Sequence, residues 1–128
     1  MRAVDTNVLV RLLMVDDAGQ ARAAELFVAH GVWVSHVVLA ETTWVLRSVY
    51  GQSPLQIADA LEAALDWETL TFEDAGVVAV ALQHYRARPS LKFSDCLIAA
   101  IARRAGHTPI GTFDKEFAKV DDVERIKH

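Results

Sequence analysis

Short apolar runs rich in β-branched residues alternate along the chain with longer stretches whose apolar positions recur every three or four residues. These are the periods of buried strands and of amphipathic helices. Residues 2–5 read as a first strand, and Val8 to Met14 as a short helix after it. In "DDAGQARAAELFVAHG", Ala24, Phe27 and Val28 share one face and Gly31 supplies a C-terminal stop, which predicts a helix. "VWVS" is a second strand, and "HVVLAETTWVLRSVYG" returns to helical spacing and ends at Gly51. "SPLQIADALEAAL" opens with Ser53 as N-cap and Pro54 at the first helical position. "TLTF" is a third strand, and "EDAGVVAVALQHYRARP" a helix ending before Pro89. "SDCLIAAIARRAG" is the next helix, "PIGTF" a strand, "DKEFAK" a short helix and "VERIK" a last strand. Strands separated by helices predict an α/β fold, with a central, mostly parallel sheet flanked by helices on both faces. No linker, repeat or low-complexity tract interrupts the pattern, so a single domain spanning residues 1–128 is expected.

In open α/β sheets, ligands gather beyond the carboxyl ends of the strands. Asp5 ends the first strand, Ser35 the second, and "TFD" the strand that contains Ile110. Those positions are expected to converge. Other acids stand where the pattern calls for apolar residues. Glu41 shares a helical face with Val37, Val38, Trp44 and Val45, a stripe expected to face the core. Asp95 is followed on its own face by Ile98, Ala99 and Ala102.

Each acid has an ordinary alternative. Asp5 suits a turn in "DTN", Asp114 an N-cap, and Asp95 the first turn of a helix, where an acid complements the macrodipole, with Ser94 as its N-cap. Glu41 could be a surface acid. Four such cases, three of them near strand ends or helix starts, point instead to semi-buried carboxylates sharing a pocket. Carboxylates so crowded repel one another towards the neutral form. A divalent cation removes that penalty, and all-oxygen ligation suits Mg²⁺ or Mn²⁺.

Composition narrows the chemistry further. The chain is 52% hydrophobic and 23% charged, which is a globular profile and not a disordered one. Its one early apolar run, Val8 to Val15, is broken by Arg11 and reads as neither signal peptide nor membrane span. A single cysteine, Cys96, excludes an internal disulfide framework and makes the cytoplasm the default compartment. Beside Asp95 it reads as a small buried side chain, not a nucleophile. The five histidines lack paired ligand spacing, so zinc is not expected. No GxGxxG, GxxxxGK[ST] or GxSxG motif is present, which removes glycine-loop phosphate binding and the nucleophile elbow.

Together, "VDTNVLVRLL", "VSHVVLAE", "FSDCLIAA" and "GTFDKEF" resemble, in this order and spacing, the motifs of the PIN-domain family, nearest to its VapC-like ribonuclease toxins. The resemblance spans nearly the whole chain. It implies a Mg²⁺- or Mn²⁺-dependent endoribonuclease that prefers single strands, works as a homodimer and is silenced by a cognate antitoxin. Carried over by motif, the acidic quartet falls on Asp5, Glu41, Asp95 and Asp114, with Thr6, Asn7 and Thr112 in support. Glu116 is a further acid to which the motif gives no role.

The net charge of −4 would ordinarily argue against a nucleic-acid partner. Setting the quartet aside leaves 17 − 4 = 13 acids against 13 bases, so the excess is accounted for by the site itself. Arg86, Arg88 and Lys92, just ahead of Asp95, are candidate phosphate contacts, with Arg47, Arg103, Arg104, Lys115 and Lys119 on flanking segments. Two rivals come from other classes. A phospho-accepting receiver domain needs an early acid pair, a strand-end aspartate and a late lysine; Asp16 and Asp17 supply the pair, but Asp59 lies in a helical stretch. A PIN fold that only binds partners would have no need of an intact quartet.

Overall fold

A computed structural model describes every residue from Met1 to His128. The chain resolves into two units, Met1–Ala75 and Gly76–His128.

The first unit is built on β1 (Arg2–Ala3), α1 (Thr6–Leu13), α2 (Ala18–Val28), β2 (Val32–Val34), α3 (His36–Ser48), α4 (Pro54–Leu65) and β3 (Leu70–Phe72). Its strands pair in parallel in the order β1-β2-β3, with Arg2 opposite Val32 and Val32 opposite Leu70. Parallel neighbours cannot be joined by a hairpin. The chain therefore crosses over through α1 and α2, then through α3 and α4. Helix α1 packs on α2 and α3, and α3 also packs on α4. Leu9, Val28, Val32, Val34, Leu39, Leu46, Ile57 and Leu61 are almost wholly buried and form the unit's core.

All four helices here start on a side-chain cap. Asp5, Ser35 and Ser53 accept the backbone N–H of Val8, Val38 and Gln56. Asp17 does the same for Gln20 at the fourth. Ser53 is reinforced because the Gln56 side chain accepts the Ser53 N–H in return, a reciprocal cap. Helix α3 stops at Ser48, short of the expected Gly51, and the chain turns only where Gly51 takes a positive φ of 62°. The end of α1 is tied in by Arg11, which donates to Gln20, Asp16 and Tyr50, while the Tyr50 hydroxyl donates to Asp16.

The second unit holds the last helices, α5 (Ala75–Ala87) and α6 (Phe93–Ala105), then β4 (Ile110–Thr112), a 3-10 turn at Phe117–Lys119, and β5 (Val123–Arg125). β4 and β5 also pair in parallel, but with each other and not with β1-β2-β3, so the strands expected in one sheet form a three-stranded and a two-stranded sheet. Val78, Ala81, Tyr85, Phe93, Cys96, Leu97 and Phe117 are among its buried side chains, with Tyr85 and Phe93 edge-to-face at 5.7 Å. Arg103 on α6 donates to Asp122 and to the Asp121 carbonyl, and its Nη1 lies 3.4 Å from Nε2 of His84. A guanidinium can only donate, so the histidine nitrogen accepts there. "DKEFAK" supplies just the 3-10 turn, shorter than the helix expected. No helix is long and apolar enough to cross a membrane.

Candidate functional site

The acids predicted from the sequence occur as two pairs, one in each unit. In the first unit Asp5 follows β1 and caps α1, its Oδ1 accepting the Val8 N–H at 3.2 Å. The next residue, Thr6, donates its hydroxyl to Oε1 of Glu41 at 3.2 Å. Glu41, midway along α3, is thereby held against the first turn of α1. Asn7 is exposed in that same turn.

Glu41 does not interrupt a buried stripe. The face of α3 turned to the core carries Leu39, Thr42, Thr43 and Leu46, whereas Val37 and Trp44 are 68% and 65% exposed and Glu41 lies between them. The misreading has a plain cause. Thr42 and Thr43 satisfy their hydroxyls on the carbonyls of Val38 and Ala40, which lets two polar residues occupy the inner face and turns the apolar ones outward. Asp5 is exposed as well, so this pair is not semi-buried. The start of α3 has a further clamp that the sequence reading passed over. Glu73, just beyond β3, accepts the His36 N–H at 2.9 Å, and its other oxygen lies 4.0 Å from His36 Nε2. Its place after a strand end was the available signal.

The second pair is set differently. Asp95 is the third residue of α6, whose N-cap is Lys92 with no side-chain bond; Ser94 is therefore inside the helix and is not the cap. Asp95 is half-buried, and its carboxyl is raised above the ordinary 3.8, first by burial and then by the charge of Asp114, against a lowering by Lys92. Cys96 beside it is buried and pushed up to about 11, mainly by desolvation and then by Asp95, so it stays a neutral thiol, as expected. Asp114 is exposed and doubly fixed. Its N–H donates to Thr112 Oγ1 at 3.0 Å, and its Oδ1 accepts the Glu116 N–H at 2.8 Å. Glu116 now has a role. It accepts from the Ser90 hydroxyl and from Lys119 Nζ, which hold its carboxyl below the usual range and fasten the loop before α6 to the 3-10 turn.

Among the basic candidates, Arg88 donates to the Lys119 carbonyl and Arg103 is committed to Asp121 and Asp122, so both have structural work. Arg86 has an interaction of its own. Lys92, Arg47 and Lys115 are exposed.

The donor set in both pairs is oxygen only. No three Asp, Glu, His or Cys side chains stand together as a ready-made cage. Mg²⁺ does not require one, because it keeps much of its water and is commonly held by one or two carboxylates together with substrate phosphates. The residues present fit such an ion.

Compared with known families, the chain matches the PIN domain over residues 2–123. It belongs to the PIN-domain family. Proteins of this family are typically nucleases and usually use divalent metals. No curated protein and no solved structure matches the chain. The receiver-domain rival falls with this assignment, and the PIN domain carries the α/β fold with parallel strand pairing that the sequence predicted.

Proposed function

We propose that this chain is a metal-dependent endoribonuclease, the toxin of a VapC-like toxin–antitoxin pair, acting in the cytoplasm as a single-domain homodimer. Asp5, Glu41, Asp95 and Asp114 would hold Mg²⁺ or Mn²⁺. The observation that carries most weight is Asp95, a half-buried carboxyl raised by burial and by a second aspartate. Such a group is stabilised in its charged form by a cation, which makes it a ligand candidate and not a surface acid. When bound, a divalent ion supplies positive charge that activates water and neutralises the phosphate in the transition state.

The chain's own residues do the remaining work. Thr6 fixes one oxygen of Glu41 by hydrogen bond, leaving the other free to ligate. Thr112 and the Glu116 N–H orient Asp114. Lys92 is exposed at the start of α6, where it can meet an RNA phosphate. The exposed Val37 and Trp44 of α3 favour an assembly that covers them. An antitoxin would inhibit by placing an arginine or lysine among the four acids, competing for the charge that otherwise holds metal.

Incubating the protein with pooled cellular RNA, with Mn²⁺ or with EDTA, tests the activity; cleavage that persists in EDTA would overturn metal dependence. Light scattering tests the dimer, and a monomer at micromolar concentration would defeat it. Co-purification with the neighbouring gene product tests the antitoxin. Inhibition that survives removal of every basic residue from that protein's tail would defeat charge replacement.

A further inference from the structure

The segment Gly111–Phe117 carries two phenylalanines with opposite fates. Phe117 is buried in the second unit, whereas Phe113 is 62% exposed. Flexibility does not account for the difference, because the backbone on either side of Phe113 is pinned. Thr112 ends β4 and accepts the Asp114 N–H, Asp114 accepts the Glu116 N–H, and the Ala118 N–H closes on the Asp114 carbonyl at 3.1 Å. A turn held at these points presents the Phe113 ring outward in one fixed place. Its aromatic neighbour is His128, edge-to-face at 5.7 Å and 86°. Such a contact can cover at most one face of the phenyl ring, and at 62% exposure most of the side chain stays open to solvent.

Asp114, the next residue along the chain, is also exposed, and its charge repels an RNA phosphate. A nucleotide arriving here gains nothing from its own negative charge until a cation is in place. Its base is neutral and flat, and can stack on an aromatic ring without opposing that charge. Resting on the nuclease reading above, we propose that Phe113 is a base-stacking platform that seats a single-stranded nucleotide beside Asp114. Stacking tolerates any base, so the platform sets strandedness and register and not sequence. In a duplex the base faces are already stacked on their neighbours and are unavailable to the ring.

The test uses the full chain and a short single-stranded oligoribonucleotide. With Mn²⁺, Phe113→Ala is expected to raise KM about tenfold with kcat within about twofold, because binding is lost equally in ground and transition states. Phe113→Trp is expected to restore it. Binding of the same oligonucleotide in EDTA, read by fluorescence anisotropy, is expected to weaken about tenfold, equivalent to about 1.4 kcal/mol. An abasic nucleotide at one position should weaken wild type similarly and leave Phe113→Ala unchanged. Since the ring is exposed, the variant is expected to melt as wild type does. If Phe113→Ala cleaves and binds as wild type does, the platform is refuted while the nuclease reading stands. If wild type does not cleave, that reading falls, and the binding arm alone decides: affinity dependent on Phe113 keeps the platform, and its absence ends it.

Discussion

The acid pair of the first unit and Asp95 of the second are held by different forces. Asp5 and Glu41 are exposed and positioned by hydrogen bonds, Asp5 through the N-cap of α1 and Glu41 through Thr6. Asp95 is positioned by burial in α6, and its charge is opposed by desolvation and by Asp114. The first pair therefore depends on geometry, and Asp95 carries electrostatic strain. A cation beside Asp95 would relieve that strain.

Substitution at the two sites tests that division. The largest effect is expected on cleavage. Asp95→Asn and Asp5→Asn should each lower it by on the order of 10³-fold, since each removes a ligand charge worth several kcal/mol in the transition state. Asparagine still caps a helix, so Asp5→Asn should fold normally by circular dichroism. Full activity in both variants would end the assignment. Next in size is stabilisation by metal. At about a hundredfold excess over Kd, Mn²⁺ should stabilise wild type by about 2.7 kcal/mol. The shift in Asp95→Asn should be less than half of that, and an equal one removes Asp95 from the site.

Smaller effects separate the two modes of support. Thr6→Val frees Glu41, and kcat/KM should fall about tenfold with little change in melting temperature. Asp5→Ala, unlike Asp5→Asn, should cost about 1 kcal/mol of stability through the lost cap. The smallest effect is the strain on Asp95 itself. Its carboxyl is raised in the folded state, so the native protein is favoured while that group is protonated, below the ordinary 3.8, and loses that advantage as pH rises through the raised value. Metal-free Asp95→Asn should therefore exceed wild type in stability at pH 7, by under about 1 kcal/mol given solvent screening, and converge with it near pH 3. A gain that is the same at both pH values would show that it does not come from ionisation.

The sequence carried the element order well because the signals were local. Ser53-Pro54 and Gly31 mark ends by backbone chemistry alone, and both lie where expected. The faces of α3 were not legible, because periodicity counts apolar residues and cannot tell that Thr42 and Thr43 would satisfy themselves and turn inward. Glu116 was visible as an acid but not as a clasp, since its partner Ser90 is 26 positions away. Glu73, 37 positions from the His36 N–H it accepts, was missed for the same reason. For Glu116 and Glu73 what escaped prediction was a contact between residues far apart in sequence, whereas on α3 it was a local hydrogen bond within one turn.

The parallel pairing of the first unit also sets a timetable during synthesis. Strand β1 cannot pair until Val32 and Trp33 exist, and β2 has its second neighbour only once Leu70 has been made. At about 5–20 residues per second, the ribosome needs roughly 2–8 s to go from residue 32 to residue 70. From residue 41 onward Asp5 and Glu41 are both translated while the sheet still lacks its third strand. The nascent chain therefore carries its first two acids well before Asp95 and Asp114 are made.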